Sequence, residues 1–473
     1  MTFYVTTAIP YVNAEPHVGH ALELVQADVL ARHRRLRGQP VRFLTGTDDN
    51  ALKNVTAARA AGVDVRTFVD ANAARFAALR EPLDLSFDDF IRTGVDDRHR
   101  HGVARLWREC AAAGDFYRHA YEGFYCAGCE QFYAEDEPCP EHRVAPERIR
   151  EENWFFRLSR YEQRILDALE SGAVRIEPAG RRNEVLAFVR AGLADFSVSR
   201  PAARAGGWGI PVPGDPDQVV YVWWDALANY VTALGDGADY ERWWANSAER
   251  VHVIGKGIVR FHAVYWLALL LSVGRPLPTA VFVHDYLTVE GAKVAKSAGN
   301  AVDPVALVGR FGVDAVRWWL LRDVARIGDT GFTADRLVHR ANQDLANGLG
   351  NLVNRTLTLV DRVDVEKAGA LRASQNLLPA GAELSDRVDD ALRRFDFRAA
   401  TGALCAVVDA GNRLIEAERP WEAGPTAHAT LATLVGTCRA LAVELEPFLP
   451  GGARRLREQL ASGGRPRPVF PRR

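Results

Sequence analysis

The order of apolar and polar positions predicts alternating strands and helices in the first part of the chain. Residues 3–9 are mostly β-branched or aromatic and predict a buried strand, which Pro10 ends. A helix is predicted over about residues 20–37, a second strand over residues 41–45, and an alanine-rich helical segment over residues 52–80. Strands that alternate with helices in this way indicate a parallel α/β sheet.

The pattern changes between about residues 116 and 215, where Cys, Pro, Glu and Tyr are frequent. We interpret this segment as an insertion within the first domain. Buried strands are predicted again at residues 219–223 and 251–254, followed by a long apolar helix over residues 259–273 and an extended segment over residues 281–289.

From about residue 336 onward the pattern predicts helices and no strands, which indicates a separate helical bundle. The predicted organisation is the first half of an α/β domain at 1–115, the insertion at 116–215, the second half of the domain at 216–282, a linker region at 283–335 and the bundle at 336–473.

Composition and charge limit the classes of protein to consider. The chain has 473 residues, of which 48% are hydrophobic and 25% charged, as in soluble globular proteins of several domains. A net charge of −1 excludes a generally basic nucleic-acid-binding protein. The longest apolar run, residues 263–274, is shorter than the roughly 20 residues of a membrane span. The N-terminus lacks signal-peptide features, so we expect a cytoplasmic protein without membrane contact.

Half of the six cysteines lie close together in the insertion. Cys126 and Cys129 form a CxxC pair, and Cys139 and His142 form a CxxH pair shortly after it. Three thiolates and one imidazole complete a tetrahedral shell with no open position, which is how structural zinc is held. The spacing therefore predicts a structural Zn²⁺ site, with unpaired cysteines as the alternative.

Two histidines flank a glycine between the first predicted strand and helix. In a parallel α/β sheet this place binds phosphates, so His17 and His20 are candidate phosphate ligands and Gly19 permits close approach of the backbone. The motif is short, and a histidine pair without a catalytic role is the more frequent explanation of it.

A second motif supports a catalytic role for the two histidines. Only five residues of the chain are lysines, yet Lys293 and Lys296 lie close together, directly before Ser297. In this order and context, the histidine and lysine segments resemble the HIGH and KMSKS signatures of class I aminoacyl-tRNA synthetases.

More specifically, the chain resembles the methionyl-tRNA synthetase family over nearly its whole length. The matching segments are Ala8-Ile-Pro-Tyr-Val-Asn13, Asn183-Glu-Val-Leu186, Ser199-Arg-Pro201, Trp208-Gly-Ile-Pro211, Val222-Trp-Trp-Asp-Ala-Leu-Ala-Asn-Tyr230, Ile254-Gly-Lys256 and Phe261-His-Ala-Val-Tyr-Trp266.

This resemblance implies a Rossmann-type α/β catalytic domain with a zinc-knuckle connective insertion, followed by an α-helical anticodon-binding bundle. It implies an ATP-dependent ligase with methionine, ATP accompanied by Mg²⁺, and tRNA(Met) as substrates. His17, His20, Lys293 and Lys296 are then the expected catalytic residues. The expected ATP contacts are His17, Gly19, His20, Gly255, Lys293, Lys296 and Ser297.

The resemblance also implies an amino-acid pocket and an anticodon reader. Asp48 is expected near the substrate ammonium group, and an aromatic wall suits a polarisable thioether. The expected methionine contacts are Ala8, Ile9, Tyr11, Asp48, Trp223, Ala226, Leu227, Tyr230, Ile258, His262 and Trp266. The expected anticodon readers are Asn351, Arg355 and Trp421, although a tryptophan after a proline in a bundle is often a core residue.

The chain departs from the family pattern at Gly257, where the family usually has Asp, and at Asn50-Ala51, where it usually has His-Gly. It also has Val294-Ala295 in place of Met-Ser. These changes leave two alternatives to a methionine–tRNA ligase. One is a tRNA-independent adenylating enzyme of a natural-product pathway, and the other is an inactive RNA-binding relic. A monomer is expected because no appended dimerisation domain is visible in the sequence.

Overall fold

The computed structural model of the chain describes two compact units. It describes residues 1–126, 137–139, 145–294, 301–362, 368–422, 426–462 and 467–473, and the backbone alone at residues 131–133 and 365–367. The first unit comprises Met1–Pro16, Gly38–Leu79 and Phe87–His284, and the second comprises His17–Arg37, Arg80–Ser86 and Asp285–Arg473. The domain boundaries inferred from the sequence stay a prediction.

The strands belong to one parallel sheet and several small sheets. In chain order they are β1 Phe3–Thr7, β2 Val41–Thr47, β3 Asp89–Arg92, β4 Phe116–Cys126, β5 Gln131–Tyr133, β6 Glu147–Phe156, β7 Arg175–Glu177, β8 Phe196–Ser197, β9 Ser199–Pro201, β10 Pro211–Val212, β11 Asp215–Val220, β12 Glu249–Gly255, β13 Ala280–His284, β14 Leu287–Val289, β15 Ala292–Lys293 and β16 Thr330–Gly331.

The second unit is mostly helical, and the first unit contains both helices and strands. In chain order they are α1 Val18–Leu36, α2 Leu52–Ala60, α3 Val65–Ala77, α4 Asp97–Ala112, α5 Glu162–Glu170, α6 Ala179–Arg190, α7 Val222–Thr232, α8 Ala238–Tyr240, α9 Trp266–Ser272, α10 Pro304–Phe311, α11 Val313–Arg322, α12 Ala334–Arg340, α13 Asn351–Val360, α14 Val365–Arg372, α15 Pro379–Ala382, α16 Leu384–Arg393, α17 Phe397–Glu418, α18 Ala427–Glu444 and α19 Pro450–Ala461. Segments Glu241–Ala245, Phe261–Tyr265 and Ala341–Gly350 are π-helical.

The main sheet of the first unit has the strand order β3-β2-β1-β12-β13-β7, with every pair parallel. This confirms the predicted α/β class. From β1 the chain runs outward to β2 and β3 on one side, and β12 and β13 lie on the other side. The switch point therefore falls between β1 and β12, and ligands of open α/β sheets bind at the carboxyl ends of strands at such a point.

Close approach of neighbouring strands explains one glycine of this sheet. A Cβ atom on Gly46 would lie 2.1 Å from the backbone oxygen of Ile91 on the adjacent strand β3. Only glycine fits this position without moving the strand.

The segment interpreted as an insertion contains a sheet of the order β5-β4-β6-β8, in which all neighbours are antiparallel. Strands β4 and β6 pair along their length, from Phe116 with Phe156 to Tyr125 with Glu147. These strands account for the change of pattern after residue 115, because most of their residues are at least partly exposed, whereas every residue of β1 is buried.

The second unit contains α1, α10–α19 and a small sheet in the order β15-β14-β16. In the described part of the chain, β16 is the last strand, which confirms that strands are lacking beyond residue 336. None of the helices that the structure describes has the length and apolar character needed to cross a membrane.

Two predicted elements differ from the observed ones. The strand predicted at 219–223 ends at Val220, and Trp223 lies on helix α7. Helix α7 is buried on nearly all sides, so the apolar residues at its start show no helical period. Such residues cannot be told from those of a buried strand by pattern alone. The helical segment predicted at 52–80 is interrupted after α2, where Gly62 has a φ of +65° and Asp64 caps α3.

Candidate active site

Helix α1 begins with a reciprocal cap built from two histidines. His17 Nδ1 accepts a hydrogen bond from the Gly19 backbone N–H at 3.1 Å, and His20 Nδ1 accepts one from the His17 backbone N–H at 3.1 Å. The two rings stack with their centroids 3.9 Å apart. Because both Nδ1 atoms accept, the proton of each neutral ring lies on Nε2, which makes Nε2–H the group that can donate to an anion.

Gly19 is required by this cap. A Cβ atom at this position would lie 2.9 Å from Cε1 of the His17 ring. Any larger residue would displace the imidazole that caps the helix, so glycine here preserves the orientation of His17.

Lys293 of β15 acts electrostatically on His17. Burial, and after it the charge of Lys293, lower the pKa of His17 to about 4. His17 is therefore neutral at pH 7 and acts as a hydrogen-bond donor rather than as a cation. The Lys293 ammonium lies 3.8 Å from the centre of the Tyr286 ring. Lys296 and Ser297 lie outside the described residues.

Several expected amino-acid contacts lie at the carboxyl ends of the central strands. Ala8 and Ile9 follow β1, Gly255 ends β12, and the Ala8 backbone N–H donates to Val253 O at 3.1 Å. Asp48 follows β2, is 1% exposed, and accepts from the Asn50 backbone N–H at 3.1 Å. Tyr11 and Asp48 are partners in a parallel bridge. The fold thus brings Tyr11 and Asp48 together.

Aromatic side chains from α7 and the helical segment after β12 pack on one another in the same unit. Trp223 stacks on Phe261 with centroids 3.7 Å apart and an interplanar angle of 7°. Tyr11 meets the edge of Trp223 at 6.0 Å, and Tyr230 meets Trp266 at 5.7 Å. Ala226 and Leu227 are buried on α7, and Ile258 packs against the same core.

The protonation of His262 follows from its two partners. His262 Nδ1 lies 2.9 Å from Ile258 O, a group that only accepts, so Nδ1 carries the proton. His262 Nε2 then accepts from the Tyr230 hydroxyl at 2.7 Å. Burial lowers the pKa of His262 to about 4, which keeps the ring neutral.

Sequence reasoning missed a second buried histidine, His252 on β12. The Trp266 indole N–H donates to His252 Nε2 at 3.1 Å, so His252 Nδ1 carries the proton towards Thr6 Oγ1 at 2.7 Å. Burial lowers the pKa of His252 well below its ordinary value. His252 thereby fixes the orientation of Trp266. A histidine within an otherwise apolar strand was the only signal of it in the sequence.

The sequence reasoning also missed a buried polar cluster at the start of α7. Asp225 is completely buried, and its two carboxylate oxygens lie 2.8 Å from His99 Nε2 and 2.8 Å from Asn50 Nδ2. His99 Nδ1 lies 2.8 Å from Thr232 Oγ1 at the other end of the helix. A carboxylate inside the apolar run of α7 was the available signal.

Two of the four expected zinc ligands, Cys126 and Cys139, lie among the described residues. Cys126 and Cys139 are 1% and 0% exposed and pack against each other. Cys129 and His142 lie outside the described residues.

The expected anticodon readers all lie in the second unit. Asn351 and Arg355 are on α13, where Asn351 faces Asn412 and the Arg355 guanidinium lies 3.6 Å from the Glu416 carboxylate. Trp421 is 42% exposed, directly after the buried Pro420. Trp421 is therefore a surface residue and not part of the core.

The positions that depart from the family pattern have different surroundings. Gly257 is exposed in the turn Lys256–Ile258. Ala51 is completely buried and packs with Tyr221 and Val222. Val294 is also buried, and Ala295 lies outside the described residues.

Comparison with known proteins identifies the family. The model of the tRNA synthetases class I (M) matches residues 3–148 and 139–357. A methionine–tRNA ligase of Brucella suis is 39% identical over 99% of this chain and 98% of the relative, and one of Caldanaerobacter subterraneus is 38% identical over 97% of this chain and 74% of the relative. The solved structure of Mycobacterium tuberculosis methionyl-tRNA synthetase in complex with methionyl-adenylate has a TM-score of 0.89 at 37% identity and covers 100% of both chains. The chain belongs to the methionyl-tRNA synthetases, a family of class I tRNA synthetases.

Proposed function

We propose that this chain is a methionine–tRNA ligase that activates methionine with ATP and transfers it to tRNA(Met). The methionine carboxylate attacks the α-phosphorus of ATP, an oxygen–phosphorus bond forms, and pyrophosphate leaves. A ribose hydroxyl of the terminal nucleotide of tRNA then takes the acyl group, and AMP leaves. The observation that carries the proposal is the histidine cap of α1, since it puts the ring proton of His17 and of His20 on Nε2, the atom that can donate to a phosphate oxygen.

Catalysis in this reaction consists of positioning and of stabilising charge on phosphate oxygens. We assign the α-phosphate to neutral His17 and His20, with the approach of the backbone at Gly19. Lys293 and Lys296 are assigned to the outer phosphates, together with Ser297 and the Mg²⁺ that accompanies ATP. Gly255, at the end of β12, completes the proposed ATP contacts.

The proposed methionine pocket combines one carboxylate with an aromatic wall. Asp48 is assigned to the substrate ammonium group, and Trp223, Tyr230 and Trp266 to the thioether side chain. The Tyr230–His262 hydrogen bond supports this assignment, because it satisfies the hydroxyl proton within the protein. Ala8, Ile9, Tyr11, Ala226, Leu227, Ile258 and His262 are the remaining proposed contacts.

A structural zinc in the insertion is part of the proposal. Cys126 and Cys139 fit such a site because both are buried and pack together, and Cys129 and His142 are the remaining proposed ligands. Zinc held by four protein ligands stabilises the local fold and takes no part in the reaction. Metal analysis of reduced, chelator-free protein should find one zinc per chain, which Cys129→Ser should release.

The exposed Trp421 supports tRNA as the acceptor. Single-stranded RNA loops are read by aromatic stacking and by hydrogen bonds to base edges. Trp421 is assigned to stacking on an anticodon base, and Asn351 and Arg355 to base edges.

The test measures activation and transfer separately. ATP–pyrophosphate exchange across the twenty amino acids should select methionine, and Lys296→Ala should lower it by about 10²–10³-fold. Lys367→Ala is the matched control for loss of a lysine. Trp421→Ala should leave exchange intact and lower kcat/KM for tRNA(Met) by roughly 10–150-fold, with unchanged thermal melting.

Wild-type protein that exchanges pyrophosphate with methionine but acylates no tRNA(Met) would contradict the proposal. That result would favour a tRNA-independent adenylating enzyme. Wild-type protein without exchange for any amino acid would contradict both of these functions.

A further inference from the structure

We propose that Asn50 is a positioning residue of the amino-acid pocket. Asn50 holds the Asp225 carboxylate in place, and through it the first turn of α7. The inference rests on the function proposed above. It concerns a position at which this chain departs from the family pattern, and it explains how the pocket is retained despite that change.

Asn50 connects the two parts of the proposed pocket. Its backbone N–H donates to Asp48 Oδ1 at 3.1 Å, and Asp48 is the residue assigned to the substrate ammonium group. Its side-chain amide donates to Asp225 Oδ2 at 2.8 Å and to Thr93 O at 3.3 Å. Both amide protons are therefore used, so the side chain has a single orientation.

Asp225 depends on this bond. The residue is completely buried, and the hydrogen bonds found for its carboxylate in the described structure are those to Asn50 and His99. A buried carboxylate that loses one of two donors must rotate or admit water, because the cost of leaving it underbonded is high. Either change moves the first turn of α7.

The first turn of α7 carries a proposed wall residue. Trp223 lies two positions before Asp225 and stacks on Phe261 at 3.7 Å. Tyr11 makes an edge contact with Trp223, and Ala51, next to Asn50, belongs to the same small apolar cluster. A shift of Asp225 is therefore transmitted to a ring of the pocket.

Asparagine and histidine both carry a side-chain N–H donor. Each presents a polar N–H that can donate to a carboxylate, so a histidine at position 50 would offer Asp225 the same kind of charge-assisted bond.

The experiment compares variants of the full chain in two measurements. Calorimetric titration with L-methionine gives Kd without chemistry, and ATP–pyrophosphate exchange gives KM for methionine, KM for ATP and kcat. The variants are Asn50→Ala, Asn50→His, Asp225→Asn and the double variant Asn50→Ala/Asp225→Asn. Asn246→Ala is the matched control, because Asn246 is an exposed asparagine that bonds Glu241.

Asn50→Ala should raise Kd and KM for methionine about tenfold, the scale of one lost hydrogen bond to a charged group, and leave KM for ATP within twofold. Asn50→His should return both Kd and KM for methionine to within about threefold of the wild-type values. Asn50→Ala should add little in the Asp225→Asn background, because both changes remove the same bond. Asn246→Ala should match wild type.

Three results would overturn the inference: unchanged methionine Kd in Asn50→Ala, failure of Asn50→His to restore it, or additive effects in the double variant. Equal loss of thermal stability in the alanine and histidine variants, with methionine and ATP constants changed alike, would also reject it as merely structural. Because calorimetry needs no catalysis, weaker methionine binding by Asn50→Ala supports the inference even in a protein that exchanges no pyrophosphate. That combination would reject only the proposed function.

Discussion

Asp28 in the second unit and Asp225 in the first are both completely buried, but the side chains that contact them differ in kind. The Asp28 carboxylate lies 2.8 Å from Arg317 Nη2 and 2.9 Å from Arg32 Nε, and it accepts from Ser86. Burial acts to raise the pKa of Asp28, but the charges of Arg317 and Arg32 outweigh it and hold the pKa below its ordinary value.

Arg317 makes this cluster a structural junction. All five of its N–H donors have acceptors, and none of its side chain is exposed. Besides Asp28, the acceptors are the backbone oxygens of Leu83, Asp84, Pro447 and Phe448. The guanidinium thus joins α1 to segments far along the chain within the second unit.

Asp225 has an imidazole and an amide as partners, both from side chains that hold one helix in place. The comparison teaches that two buried carboxylates serve different purposes. We therefore expect the Asp28 cluster, with its arginine partners, to matter more for stability, and the Asp225 cluster to matter more for the proposed methionine pocket.

The largest effect is expected from Arg317→Met. The substitution takes one of two arginine partners from the buried Asp28 carboxylate and the Arg317 donors from the carbonyl groups of Leu83, Pro447 and Phe448, which costs about 3–5 kcal/mol of unfolding free energy. Urea unfolding measures it. Arg190→Met is the control, because its bridge to Glu170 is exposed and contributes about 0–1 kcal/mol. A loss in Arg317→Met no larger than in the control would remove the contrast between the clusters.

An intermediate effect is expected from Asp225→Asn. The amide that replaces the carboxylate keeps one acceptor oxygen for His99 but loses the bond to Asn50, and it leaves no buried charge, so the unfolding free energy should fall by only about 1–2 kcal/mol, whereas Asp28→Asn should cost more. Asp225→Asn should nevertheless weaken methionine binding, and Asp28→Asn should not do so to the same extent. Equal stability losses in the two variants, with equal methionine Kd values, would contradict the division of roles.

The smallest effect concerns His33 on α1, whose Nε2 lies 2.8 Å from the Asp389 carboxylate. The pKa of His33 is lowered to about 4, mainly by burial. The hydrogen bond to Asp389 acts to raise this pKa, and the charges of Arg37 and Arg34 act to lower it. As pH falls from about 6.5 towards 4, the unfolded chain binds a proton that the folded chain rejects, so stability falls.

Between pH 7 and pH 5.5, the unfolding free energy of His33→Gln should therefore fall by about 1 kcal/mol less than that of wild type. Urea unfolding at both pH values measures this difference. His101→Gln, which removes an exposed histidine, is the control. Identical pH dependence in His33→Gln and wild type would show that His33 contributes nothing to acid sensitivity.

The sequence predicted features that depend on local pattern. The parallel sheet followed from alternating strands and helices, and family membership followed from motifs around His17 and Lys293. Predictions failed where local pattern is ambiguous. Trp223 was placed in a strand because a fully buried helix and a buried strand present the same apolar run. The roles of the proposed site residues stay predictions.

The sequence by itself determined the class of fold, the family and the set of candidate residues, because strand and helix periods and motif spacings are carried by residues close along the chain. Only the tertiary structure decided which atoms meet: Asn50 with Asp225, Arg317 with Asp28, and Tyr230 with His262. It also decided that His17 and His262 are neutral and where each holds its proton. Burial and hydrogen-bond partners set these properties, and both come from residues that only folding brings together.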